Sequence, residues 1–316
     1  AGDGAEEDAT AGGDEGRRPS DGRRSAVRDR RRRRVRIVTD SSADLPDGLA
    51  ADLGITVVPL SVNFEDRGYR CGIDMTTEQF YEKLERSPTL PTTSQPTPED
   101  FLSIYEELSW ETRHVLSVHL SSSMSGTAQS ARAAARTVSG VDVEVVDSRV
   151  VSAPLGMIAI EAAKAAERGA DIAELRTLVS NLSVRARVYF TVGDLEYLVR
   201  GGRIGRARGL IGKLAGIRPI LTVEDGIVTA AGKARGDRGV LNSLVELARP
   251  ELEGGSGGTL GLIHAHRPGP SRDAISVFTE EFGFDGVQEF ELGGVVGTHA
   301  GPGTWGVSYF RRRPAA

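Results

Sequence analysis

Five hydroxyl-bearing residues, Ser121, Ser122, Ser123, Ser125 and Thr127, crowd the stretch SVHLSSSMSGTAQSARAAA at residues 117–135, where an apolar run ends and a helix pattern begins. A helix start offers unpaired amide donors and the positive end of a dipole. Ser125-Gly126-Thr127 therefore reads as a cradle for an anion, with Gly126 allowing close approach of backbone to a ligand. The same residues are compatible with a plain helix cap. A nucleophilic serine is a third reading. The hydrolase elbow runs Gly-x-Ser-x-Gly, whereas this stretch runs Ser-Ser-Met-Ser-Gly, so a serine esterase using Ser125 stands only as an alternative.

Three other loops carry chemistry. LPTTSQPTPEDF (90–101) brings Thr92, Thr93, Ser94 and Thr97 to a helix start. Thr97-Pro98 suits an N-cap followed by proline in the first turn, which leaves Thr93 and Ser94 for a ligand. GGVVGTHAGPGTWG (293–306) sets His299 among small residues, in what reads as a loop where a ligand can come close. Its Gly301-Pro-Gly303-Thr-Trp-Gly306 has the form of a dinucleotide fingerprint. Only ten residues follow Gly306, too few for the helix, strand and acidic ribose contact that such a site needs. LVRGGRIGRARGLIGK (198–213) carries Arg200, Arg203, Arg206, Arg208 and Lys213, which suit a docking surface or a partner's phosphate. No Walker pattern occurs, so no P-loop ATP site is expected. His264-x-His266 would set two imidazoles on one strand face, but no nearby carboxylate or thiol completes a metal set, and no metal is expected.

The totals narrow the classes. The 316 residues contain 39 Lys and Arg against 44 Asp and Glu, a net charge of -5, so no overall basic field recruits nucleic acid. Residues 1–34 are rich in Gly, Asp, Glu and Arg and end in RDRRRRR. They hold too little apolar surface to offset the entropy of ordering and read as a disordered tail. Nucleic-acid binding through its arginines is a further alternative, not the expected function. The one cysteine, Cys71, excludes an intramolecular disulfide and a cysteine zinc site, and suits a cytoplasmic protein. No apolar stretch approaches the roughly 18 residues of a membrane span.

The elements that must position these loops follow from pattern. VRIVTD (35–40), ITVVPLSVNF (55–64), HVLSVHLS (114–121) and VDVEVVDS (141–148) read as strands. SSADLPDGLAADLG (41–54), capped by Asp44 or Ser42, TTEQFYEKLE (76–85, with a Thr-x-Glu cap), TPEDFLSIYEELS (97–109) and SGTAQSARAAARTV (125–138) read as helices, followed by two more over 153–167 and 171–184. Strands alternating with helices predict a parallel sheet covered on both faces. The second half reads as a strand at 187–193, a short helix, the basic loop, and another helix in RGLIGKLAG (208–216). A hairpin turning at Asp225-Gly226 follows, then a helix at 237–253, a strand TLGLIHAH (259–266), a helix after Pro270 and two terminal strands. The fold expected is α/β: an N-terminal domain over 35–184 and a C-terminal α/β domain with a mixed sheet over 185–316, with the ligand in the cleft between.

In order, VRIVTDSSADLP, PLSVNF, LPTTSQPTPEDF, SSSMSGTAQSA, LEYLVRGGRIG, IRPIL and GTHAGPGTWGVSYF resemble the DegV family over Val35 to Phe310. The resemblance implies two α/β domains with one long-chain fatty acid buried between them. It further implies the binding subunit of a bacterial fatty acid kinase. Such a subunit holds the acid while a separate ATP-binding subunit phosphorylates its carboxylate, and the acyl phosphate enters phospholipid synthesis. On this resemblance the chain is not itself an enzyme and has no cofactor, Mg-ATP being on the partner. Carried over by motif, Thr93 of TTSQP and Ser125 of MSGT would hydrogen-bond the carboxylate, with Ser94, Gly126 and Thr127 beside them. His299 of GTHAGPG would lie next to it. Arg203 of GGRIG would sit near the kinase-facing surface, with Arg200 and Arg206 as further docking residues.

Overall fold

Strand Arg36–Asp40 shows why the first half forms a covered sheet. In the structure, a computed structural model describing residues 34–211, 216–253, 257–266 and 269–311, Ile37 packs with Leu116, Leu155 and Ile158 on one face. Its neighbour Val38 packs with Phe101, Tyr105, Val115 and Ala131 on the other. Successive side chains point to opposite faces, so a strand buried on both sides is apolar along its length. Four strands run parallel in the order Ile55–Val58, Arg36–Asp40, His114–His119, Asp142–Asp147, the last of them only partly covered. Residues 1–33 and Lys213 lie outside the described residues.

Reciprocal caps start three of the helices. Thr76 with Gln79, Thr97 with Asp100, and Asp171 with Glu174 each satisfy two amides that the helix leaves unpaired. The partner of Thr76 is thus Gln79, not the glutamate expected. Helix Ala153–Glu167 is apolar nearly all round because it lies between the sheets. It packs with Ile37 and Leu116 from the first half and with Ile263, Phe290 and Phe310 from the second.

The second half builds a six-stranded mixed sheet, ordered Ile227–Ala234, Arg218–Glu224, Arg187–Thr191, Trp305–Arg311, Gly258–His264, Gly286–Glu291. Only the last pair is parallel. The expected hairpin turn is present, with φ of 54° at Asp225 and 76° at Gly226. Helices Gly236–Leu252 and Ser271–Phe282 cover one face of this sheet through Val240, Leu244 and Phe278. The architecture is the α/β fold read from the sequence, a parallel sheet followed by a mixed one. Among the described residues no helix is long and apolar enough to cross a membrane.

Local readings needed correction. ITVVPLSVNF is two strands, because Pro59 cannot donate to a ladder. Ile55–Val58 joins the parallel sheet, while Ser61–Asn63 lies between Gly68–Arg70 and Thr92–Ser94 in a small antiparallel sheet that was not expected. In SSADLP, Asp40 caps a single 3-10 turn, Ser41–Ala43, by accepting from the Ser42 amide. Asp44 ends that turn at φ 48°, and the helix proper is only Leu49–Leu53. The helix expected in RGLIGKLAG overlaps a 3-10 segment, Gly205–Leu210, and residues 212–215 lie outside the described residues.

Candidate functional site

The four polar stretches meet at a cavity of about 170 Å³ whose walls come from both halves of the chain. Leu120 and Val151 line it from the first half, and Val188, Phe190, Val223 and Ile263 from the second. Thr93, Ser125, Arg203 and His299 add polar groups to this largely apolar wall.

Strand alternation selects Thr93. In strand Thr92–Ser94, Thr92 and Ser94 face solvent while Thr93 turns inward and lines the cavity. Ser94 accepts a hydrogen bond from Asn63 Nδ2 at 2.8 Å and does not line the cavity. His299 lies on a seven-residue helix, Gly294–Ala300, and not in the loop expected. The spacing of Val295, Val296, His299 and Ala300 turns all four toward the cavity. His299 Nε2 is 2.8 Å from Thr93 Oγ1, a hydrogen bond between residues 206 apart in sequence.

The serine-rich stretch divides its hydroxyls. Ser125 reaches the cavity and is half-buried, hydrogen-bonded to Thr127 Oγ1 at 2.9 Å. Thr127 is buried behind it and does not line the cavity. Ser121 donates to the Gly226 carbonyl at 2.9 Å, seating the hairpin turn on the serine loop. Ser122 and Ser123 face outward. The N-cap position is Gly126, which has no side chain to offer, and Ser125 Oγ instead accepts from the Thr127 amide at 3.3 Å at the helix start. Gly126 lines the cavity, and a Cβ there would collide with the Gln95 amide, which also lines it.

The arginines differ in setting. Arg203 is half-buried in the cavity wall. Its Nε and Nη2 donate to the Met124 carbonyl at 3.1 and 2.9 Å, and its Nη1 to the Gly201 carbonyl at 2.7 Å. Arg200 and Arg206 are exposed, paired with Glu196 at 2.7 Å and Asp225 at 3.4 Å. Gly201 went unassigned in the sequence. A Cβ there would run into the His299 ring, so the absence of a side chain at Gly201 leaves room for that imidazole. Gln95 was likewise quoted in a motif without a role; its Nε2 donates to Ser130 Oγ at 3.1 Å.

Burial pushes the His299 pKa down to about 4, and the Arg203 charge adds to the shift. The ring is therefore neutral at pH 7, with Nδ1 buried and without a hydrogen-bond partner among the described residues. A neutral imidazole and two hydroxyls orient an anion by hydrogen bonds without a permanent salt bridge.

Two other arrangements resemble sites. Asp40, His119 and Ser117 form a serine–histidine–carboxylate relay, with His119 Nδ1 2.9 Å from Asp40 Oδ2 and Nε2 2.7 Å from Ser117 Oγ. All three are fully buried, and Ser117 is also bonded to the Tyr105 hydroxyl. His264 and His266 do not share a strand face, since the strand ends at His264. Contrary to expectation, carboxylates do arrive beside them: Glu289 is 2.9 Å from His264 and Glu291 is 3.5 Å from His266. Among the described residues no group of three such side chains is placed to hold a metal ion.

A fold of this kind, with a mostly apolar cavity lined from both halves and bordered by hydroxyls and a histidine, has known counterparts. Residues 34–312 match the model of the DegV family, described as uncharacterised proteins. A DegV domain-containing protein of Halalkalibacterium halodurans is 36% identical over 278 residues, covering 88% of this chain and 98% of its own. The solved DegV family protein of Thermus thermophilus, reported as fatty acid binding, superposes with a TM-score of 0.84 at 36% identity, covering 88% of this chain and all of its own (100%). DegV of Bacillus subtilis, a fatty acid binding protein, does so with a TM-score of 0.79 at 31% identity, covering 88% and 99%. The chain belongs to the DegV family.

Proposed function

We propose that this chain binds one long-chain fatty acid in the cavity between its 35–184 and 185–316 halves and presents the carboxylate to a separate ATP-dependent kinase subunit. The observation that carries the binding is the hydrogen-bonded Thr93–His299 pair, with Ser125, on the wall of an otherwise apolar cavity. The fatty acids bound by the Thermus and Bacillus relatives support the same ligand class. Burying about ten methylenes contributes roughly 8 kcal/mol before the costs of association. A carboxylate taken from water needs donors in return, and the Ser125 hydroxyl and the one proton that the Thr93–His299 pair keeps outside its mutual bond supply them. The head group stays free of an ion pair and so remains a nucleophile. Acyl phosphate forms when a carboxylate oxygen attacks the γ-phosphorus of ATP and ADP leaves, with Mg-ATP and in-line geometry supplied by the partner. Exposed Arg200 and Arg206, with Arg203 behind them, are the docking residues of this reading. The chain itself then performs no chemistry, works in the cytoplasm and feeds phospholipid synthesis.

The esterase reading has less support, since His299 bonds Thr93 and Ser125 bonds Thr127. The test is solvent extraction of purified protein from a lipid-containing host, followed by mass spectrometry. One equivalent of a C14 to C18 acid is expected. An empty extract, or fluorophosphonate labelling of Ser125, would refute the carrier reading.

A further inference from the structure

Asp44 lies outside the cavity just described. Its side chain is buried, yet it ties together three distant segments. Oδ1 accepts from the Gly293 amide at 2.9 Å, 249 residues away, and Oδ2 from Ser152 Oγ at 2.7 Å, 108 residues away. Gly293 is the N-cap of the helix that carries His299 and has no side chain with which to cap it. Ser152 lines the fatty-acid cavity, holds φ at 63° without being glycine, and opens helix Ala153–Glu167. Its hydroxyl makes no cap for that helix because it is directed to Asp44.

We propose that Asp44 is a positioning residue for head-group recognition, anchoring the start of the His299 helix to the Ser152 turn on the cavity wall. The inference rests on the fatty-acid reading of the cavity. Helix Gly294–Ala300 is then pinned at both ends, by Asp44 at its start and by the His299–Thr93 bond in its last turn. A helix of seven residues has little stability of its own, so these pins decide where His299 sits.

The anchor is sensitive to pH. Asp44 faces Asp40 from the first strand, Glu291 from the end of strand Gly286–Glu291, Cys71, and Tyr81 of helix Thr77–Arg86. Asp47, His264 and Glu289 line the same neighbouring space of about 530 Å³. Burial pushes the Asp44 pKa up to about 7. The Ser152 and Gly293 bonds oppose the rise, and Asp40 and Glu291 add to it. An ionised carboxylate is the stronger acceptor, so the hold on Gly293 tightens as pH rises through 7.

The experiment compares delipidated wild type with Asp44→Asn and Ser152→Ala, using cis-parinaric acid, a fluorescent 18-carbon acid, and its methyl ester as probes from pH 6 to 8.5. Wild type is expected to bind the acid about fivefold more tightly at the upper end than at the lower, as two hydrogen bonds gain charge assistance. Asp44→Asn, which keeps the size and one acceptor, should lose that dependence, while its binding of the ester should match that of wild type. Hydrogen exchange at the Gly293 amide should be faster in both variants at pH 8. A wild-type pH profile in Asp44→Asn overturns the proposal, whatever the exchange shows. If no protein binds the acid, the fatty-acid reading fails, and unchanged exchange at Gly293 would then refute the anchor as well.

Discussion

Arg203→Ala separates a residue that shapes the cavity from one that only meets a partner. Its guanidinium joins the serine loop to the Gly201 turn through three hydrogen bonds at 2.7 to 3.1 Å. Hydrogen bonds from charged donors contribute about 1.5 to 3 kcal/mol each, but this side chain is half-buried and the freed carbonyls can take up water. A net loss of about 1 to 3 kcal/mol follows, or about 5- to 150-fold in the rate at which bound acid escapes. The assay is release of cis-parinaric acid to acceptor vesicles with no kinase present. Arg203→Lys should recover little, because an ammonium is a point donor that cannot reproduce the two-nitrogen grip on Met124. A second readout is the His299 ring proton followed by NMR titration. Burial is the main cause of its depressed pKa and Arg203 the lesser, so Arg203→Ala should raise that pKa while leaving it below the usual 6.5. A variant that releases the acid at the wild-type rate and leaves the His299 titration unmoved would refute this account.

Two further outcomes follow from the same geometry. Gly201→Ala inserts a methyl group into the His299 ring space and should weaken palmitate binding by about tenfold or more, read by calorimetry, in line with the roughly 1 to 3 kcal/mol of overpacked sites. For pH, His299 is held near 4 when folded against 6.5 when unfolded, so its contribution to stability is complete above 6.5 and is lost as pH falls toward 4. Asp44 has the opposite sign: its folded pKa of about 7 lies above 3.8, so its contribution is complete below 3.8 and is lost as pH rises through 7. The stability of His299→Gln relative to wild type, measured by urea denaturation, should therefore fall by up to about 3 kcal/mol between pH 4 and 6.5. A difference that does not change with pH would contradict the burial of this ring.

Much of the fold was legible because its signals are local. Capping residues such as Thr97 and Asp171, the Asp225-Gly226 turn, and the apolar runs of the covered sheet each declare an element within a few residues. The misreadings fell where a short element depends on distant contacts. Pro59 splits one apolar run between two sheets, and helix Gly294–Ala300 looked like a loop because its glycines favour none by themselves. At the site, residue type marked Thr93, Ser125 and His299, but not which neighbours turn with them. Ser94 falls on the solvent side of its strand, Thr127 behind Ser125, and the roles of Gly201 and Gln95 exist only through side chains brought in from elsewhere.

Element types, their order and the family likeness are thus written in the chain itself, since capping, turn chemistry and apolar periodicity act between near neighbours. The meeting of Thr93 with His299, the clasp of Arg203 on Met124 and the buried junction at Asp44 join groups 79 to 249 residues apart. No local preference encodes such contacts. They arise when two sheets close around one apolar helix, and that closure leaves both the cavity and the polar groups on its wall.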